Sequence, residues 1–217
     1  MAPNTLLIMH RSFSETKFLC YKACIGTGID VGRAEDIASS AVRIGAYQSE
    51  IFDCLPNLIR TTKTRPHTLD ISRKVADFEN VSVVNDGPFF ADCLQSNLYR
   101  KINIRHIDSV LLLGGFCLHL APELSLSLSL KKKVVARFFK YSLAADDEFL
   151  ISNKADYVTL KITDKIHDDL VELEPSGSLF IKDKSWREIE DLAANTYVQE
   201  TEQSRLTGAG AGLTDND

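Results

Sequence analysis

Seven residues constrain the fold of this chain more than any others: Leu124-Ser-Leu-Ser-Leu-Ser-Leu130 alternates with a strict period of two. In a strand, successive side chains leave opposite faces, so the leucines meet a core while Ser125, Ser127 and Ser129 point the other way. Val134–Phe139 and Tyr157–Ile162 have the β-branched and aromatic content of neighbouring strands. Ile102-Asn103-Ile104 alternates in the same manner. Val81–Val84 reads as a short strand closed by the turn residues Asn85-Asp86-Gly87-Pro88, and Phe89–Tyr99 as a helix. Val110–Leu120 is a buried run whose type periodicity does not settle.

The first third is helical. Ser12-x-x-Glu15 is a capping box, in which a serine oxygen takes the free amide of the third helical residue and the glutamate reaches back. The helix it opens carries Phe18, Tyr21, Ile25, Leu19 and Ala23 and ends at Gly26-Thr27-Gly28. Asp30 caps a second helix with Val31, Ala34, Ile37, Ala38, Ala41 and Val42 on one stripe, packed antiparallel to the first. A third segment follows Ser49, and Pro56 is expected to break it or start another. Ser185-x-x-Glu188 repeats the capping-box signal ahead of a last helix that buries Trp186, Ile189, Leu192 and Ala193, with Tyr197 where that face ends.

Composition narrows the function. With 217 residues, 44% apolar and 25% charged, the chain suits one well-packed domain. A net charge of -5 repels a phosphate backbone, and Lys131-Lys132-Lys133 is the only basic cluster, so nucleic acid is not an expected partner. Five scattered cysteines and an apolar Leu6–Met9 too short for a signal core suggest reduced thiols in the cytoplasm. No apolar run approaches membrane-spanning length.

Each candidate chemical group has a plainer competitor. Cys20 and Cys24 share a helix face and could hold a metal with His67 or His119, but paired ligands at zinc-site spacing are missing, so no metal is expected. Cys117 and His119 would share one side of a strand, yet without an orienting group they read as a core thiol beside a satisfied histidine. Gly26-Thr27-Gly28 follows a helix, whereas a dinucleotide-binding turn must follow a strand. Asp146-Asp147-Glu148 and His167-Asp168-Asp169 read as solvated loop faces.

The C-terminal segment stands apart. Gly208, Gly210 and Gly212 allow close backbone approach and an anion-binding nest, with Ser204 and Arg205 beside them. Thr214, Asp215 and Asp217 offer acceptors, and Tyr197 lies where the helix delivers the segment. Two stretches carry a resemblance: Ser14-Glu15…Lys22-Ala23-x-x-Gly26-x-Gly28-x-x-x-Gly32-x-Ala34-Glu35, and Trp186…Leu192-Ala193-x-x-Thr196-Tyr197-Val198…Ser204-Arg205-x-x-Gly208-Ala-Gly-Ala-Gly-x-Thr-Asp-Asn-Asp217. Together they resemble an uncharacterised bacterial family, a domain of unknown function of about this length. The family's proline after Val198 is replaced by Gln199. The resemblance implies that the tail belongs to the fold and brings no activity, substrate or cofactor. The helix, Gly-containing turn and helix with Ala34-Glu35-Asp36 are also similar to the start of the malate/L-lactate dehydrogenase family. That family's Ser-His-Gly is absent here, so its nicotinamide cofactor is not carried over.

The sequence therefore predicts an α+β protein: an N-terminal extension over 1–11, then one domain over 12–217. Its helical part, 12–64, packs on a mixed or antiparallel sheet within 78–217, which also holds a C-terminal helix and an ordered Gly-rich tail. The expected function is an enzyme or metabolite-binding subunit for a small anionic substrate, served by Tyr197, Ser204, Arg205, Gly208, Gly210, Gly212, Thr214, Asp215 and Asp217. The alternative is a non-catalytic homo-oligomer in which the same tail docks into a neighbouring subunit.

Overall fold

The computed structural model describes residues 7–61, 72–164 and 169–197. Strand β1 (Ile8–Arg11) leads into α1 (Phe13–Gly26), α2 (Val31–Gly45) and α3 (Ile51–Thr61). Then come β2 (Val75–Val81), α4 (Val83–Gln95), β3 (Lys101–Ile107) and α5 (Val110–Leu120). A meander of β4 (Leu126–Leu130), β5 (Lys133–Phe139) and β6 (Ser142–Ala145) follows, with a short α6 (Asp147–Ile151). The remaining elements are β7 (Ala155–Ile162), β8 (Val171–Leu173), β9 (Leu179–Lys182) and α7 (Asp183–Ala194).

Seven strands form one mixed sheet in the order β2-β3-β7-β4-β5-β6-β8, in which only β2 and β3 run parallel. The alternating leucines explain the central place of β4, since Leu126, Leu128 and Leu130 all enter the core and β4 is bonded on both sides, to β7 and β5. The apolar run at 110–120 is a helix. Having apolar or small residues on almost every side, α5 is buried everywhere but at His119, held between the sheet and α2. The contacts of α4 with α5, and of α1 and α7 outside α2, place the helices on one side of the sheet. The fold is mixed α and β, as the sequence predicts, and no helix among the described residues is long and apolar enough to cross a membrane.

Several local expectations change. Residues Ile8–Arg11 of the expected extension pair antiparallel with β9, and the Arg11 guanidinium stacks 4.1 Å above the Trp186 ring. In α1 the buried face is the small one, Thr16, Cys20, Ala23 and Cys24, while Phe18 is exposed. Ser12 caps the helix as expected, but Glu15 pairs with Arg11. Val31 is exposed, whereas the rest of its stripe is buried. Pro56 neither breaks nor starts a helix: it sits inside α3, where one missing amide costs less than the apolar face around it gains.

The largest correction is at Asn85-Asp86-Gly87-Pro88, which lies inside α4 and closes no strand. The helix start is satisfied by two carboxylates: Asp108, from outside the helix, accepts the Val83 amide at 2.9 Å, and Asp86, from within it, accepts the Ser82 amide at 3.0 Å. Gly87 is a packing glycine, since a β-carbon there would lie 2.4 Å from the Phe116 ring. The last helix begins at Asp183, before the expected capping box, and Ser185 donates its hydroxyl to Asp53 of α3. The expected Gly-rich tail lies outside the described residues.

Candidate functional site

Two parallel strands, each followed by a helix, present their carboxyl ends on one edge of the sheet, where α/β proteins gather ligands. At that edge β2 and β3 depart from regular geometry together. Asn80 has φ +54° and His106 has φ +55°, and the register runs from Glu79↔Arg105 to Val81↔Ile107 across both. The shared kink turns two successive residues of each strand outward, so Arg105 and His106 are both exposed. A left-handed backbone at a non-glycine residue costs free energy and clusters at functional positions.

His106 lies on a cleft of about 390 Å³ between the ends of β3 and β4 and the start of β7. Its Nδ1 is 3.5 Å from an Asp156 carboxylate oxygen, a carboxylate partner of the kind that orients an imidazole for proton transfer. Lys131, Lys154 and Tyr157 line the same cleft, as does Glu148 from α6. Glu148 lies 3.7 Å from Lys133, whose ammonium also binds Asp146 at 2.5 Å; these carboxylates hold the Lys133 pKa above its ordinary value. No carboxylate among the described residues pairs with Lys131 or Lys154. Lys131 is placed there by a two-residue hairpin: Leu130 pairs with Lys133, and Lys131 and Lys132 have φ +47° and +75°. That turn normally selects Asn-Gly.

The neighbouring carboxyl groups serve the scaffold. Asp86 is fully buried and accepts the Asn85 amide at 2.6 Å, while Arg33 of α2 donates to Asn85 Oδ1 at 3.0 Å. Burial raises the Asp108 pKa, and Asp86 adds to that rise against the hydrogen bonds from Val83 and Ser82. A second cleft, about 400 Å³, includes Asp53 and Cys54. Asp53 is committed to Lys182 and Ser185, and burial pushes the Cys54 thiol up to about 11, so it stays protonated and poorly nucleophilic.

The residues singled out from sequence fare differently. Of the nine terminal candidates only Tyr197 is described: it is exposed, and Lys22 lies 4.6 Å above its ring. Ser204, Arg205, Gly208, Gly210, Gly212, Thr214, Asp215 and Asp217 lie outside the described residues, as do His67, His167 and Asp168. Cys117 and His119 are on a helix, not a strand, so two residues' separation sends them to different sides: the thiol is buried and the imidazole exposed. Instead, His119 shares a small crevice with Asp36, Asp92 and Ser40. Burial raises the pKa of Asp36, and His119 opposes the rise. Cys20 and Cys24 are buried thiols, with the second pushed up to about 12, and no group of three metal-ligating side chains occurs among the described residues. Asp146 does not lie on a solvated loop but caps α6, accepting the Phe149 amide at 3.1 Å.

Sequence reading missed His106 and Asp156. The signals were the ordinary-looking His-Ile-Asp after an alternating strand and the basic triplet at 131–133, neither of which announces a bend or a hairpin. Comparisons with protein-family models, with curated proteins and with solved structures found no match. The likeness of the two chain ends to an uncharacterised bacterial family thus rests on those residues alone.

Proposed function

We propose that this chain is an enzyme or metabolite-binding subunit for a small anionic substrate, bound in the cleft between His106 and Lys154. The observation that carries this reading is a pair of lysines, Lys131 and Lys154, with no carboxylate partner among the described residues, beside a histidine held in a left-handed conformation. Of the carboxylates that line the same cleft, Glu148 lies beside Lys133 and Asp156 beside His106, which leaves the ammonium groups of Lys131 and Lys154 to favour an anion. Lys131 and Lys154 hold its charge and the Tyr157 hydroxyl offers a hydrogen bond. His106, oriented by Asp156, gives or takes a proton at a substrate atom.

Thermal-shift and calorimetric titration against small carboxylates and phosphate esters tests the proposal. At least one such anion is expected to raise Tm, and Lys131→Ala and Lys154→Ala each to weaken its binding about tenfold, the loss of one charged contact. Binding at the cleft, followed by amide shifts of 106, 131, 154 and 157, that survives the double substitution, or a panel with no response there, overturns it. The C-terminal segment is tested separately, by truncation after Leu206 and by Arg205→Ala. Loss of the ligand response in both supports its place in the anion site. An oligomer that splits on truncation while Arg205→Ala binds normally supports assembly.

A further inference from the structure

The face of the sheet turned away from the helices carries one cross-strand row whose charges are all positive over four strands. The register Lys101↔Lys161, Lys161↔Ser127 and Ser127↔Arg137 sets these four residues side by side. Their chain neighbours Ile102, Leu160, Leu128, Ala136 and Phe138 point into the core, which fixes the row on the opposite face.

Such a row is unfavourable by itself. Lys101 and Lys161 are like charges directly opposite each other, and no carboxylate among the described residues pairs with either. Among the described residues the buried Nε of Arg137 has no hydrogen-bond acceptor, a cost that folded proteins rarely leave unexplained. Ser127 is only 4% exposed on this otherwise polar face, in the middle of the row. Arg137 is nevertheless held in place, with Nη2 donating to the Asp164 carbonyl at 3.3 Å and the guanidinium 4.7 Å from the Phe139 ring. Two ammonium groups, a hydroxyl and the remaining N–H groups of the guanidinium have no acceptor among the described residues.

We propose that Lys101, Lys161, Ser127 and Arg137 form a second anion site, on the face of the sheet opposite the helices, that takes the phosphate group of a small soluble molecule. A tetrahedral oxyanion supplies the acceptors that the row lacks, and arginine suits it through parallel N–H donors. The next rows limit the size of the ligand. Asp77 accepts a hydrogen bond from Asn103 at 2.9 Å, and Glu79 stands opposite Arg105, so a long polyanion leaving the row along the strands meets carboxylates. In the other direction Glu172 ends the row beyond Ala144. This site is independent of the cleft at His106.

Inorganic phosphate is the probe, titrated into the full chain against chloride at equal ionic strength and followed by amide chemical shifts and calorimetry. Shifts centred on 101, 127, 137 and 161 are expected. Lys161→Gln should weaken phosphate about tenfold while leaving Tm unchanged or raising it by ~1–2 °C, because it removes the like-charge contact. Ser127→Ala should weaken phosphate without unfolding the chain, and Lys154→Ala should leave these shifts intact. Phosphate shifts that match the chloride control, or that survive Lys161→Gln and disappear in Lys154→Ala, overturn the site. Binding to anionic vesicles that Lys161→Gln abolishes, with no response to free phosphate, overturns it in favour of a membrane surface.

Discussion

Gly115 of α5 lies so close to Ser40 of α2 that a β-carbon on it would stand 2.3 Å from the Ser40 carbonyl oxygen. The obstacle is backbone in the middle of a buried helix, which cannot swing aside as a side-chain tip does. Gly115→Ala therefore has to separate α5 from α2, the pair on which the helical layer rests. The expected loss is about 2–3 kcal/mol in urea unfolding, in the range of overpacked cores. A loss under ~0.5 kcal/mol would show that the two helices can slide apart cheaply.

The two tight hairpins provide a paired test. Lys131-Lys132 joins β4 to β5 and Lys140-Tyr141 joins β5 to β6, and all four residues have positive φ. Replacing either pair with Asn-Gly relieves left-handed strain and should stabilise the chain by ~1 kcal/mol in each case. Only the first replacement removes a lysine from the cleft, so only it should weaken the response to small anions. Equal loss of response in both hairpins would detach Lys131 from binding.

How far the sequence could be read follows from the range of the forces involved. Ser12 and Asp30 cap their helices as expected, accepting the amides of Glu15 and Arg33, because a cap is decided within four residues. The leucines of β4 needed only their own alternation. Asn85-Asp86-Gly87-Pro88 misled because its helix is completed by Asp108, 25 residues from Val83, and because Gly87 serves the Phe116 ring. The candidate cleft was hidden for the same reason. His106 and Asp156 meet only through the β3–β7 register, and the positive φ of His106 depends on a matching kink at Asn80 in β2.

His106 itself separates strain from function. With φ +55° at a non-glycine residue, His106→Gly should raise stability by ~1 kcal/mol or leave it unchanged, because glycine enters this region without a β-carbon clash. The exposed contact to Asp156 at 3.5 Å contributes little against that gain. The same variant should lose proton transfer to any anion bound in the cleft, measured as the pH dependence of binding. Marked destabilisation would mean that the imidazole is a scaffold group.

Asp108 gives the chain a pH dependence whose sign can be stated in advance. Burial, reinforced by Asp86, raises its carboxyl above the ordinary 3.8, so the folded state holds this proton more tightly than the unfolded state. Its contribution to stability is fully present below 3.8 and is lost as pH climbs from there through the raised folded value. Asp108→Asn keeps an oxygen for the Val83 amide, whose bond to Asp108 is 2.9 Å, while removing the buried charge. The variant should therefore gain stability relative to the parent as pH rises through that window and keep the gain at neutral pH, as followed by urea unfolding across the acid range. If the variant instead loses ground with rising pH, the charge at the start of α4 must be stabilising, and attraction to the helix amides would outweigh desolvation.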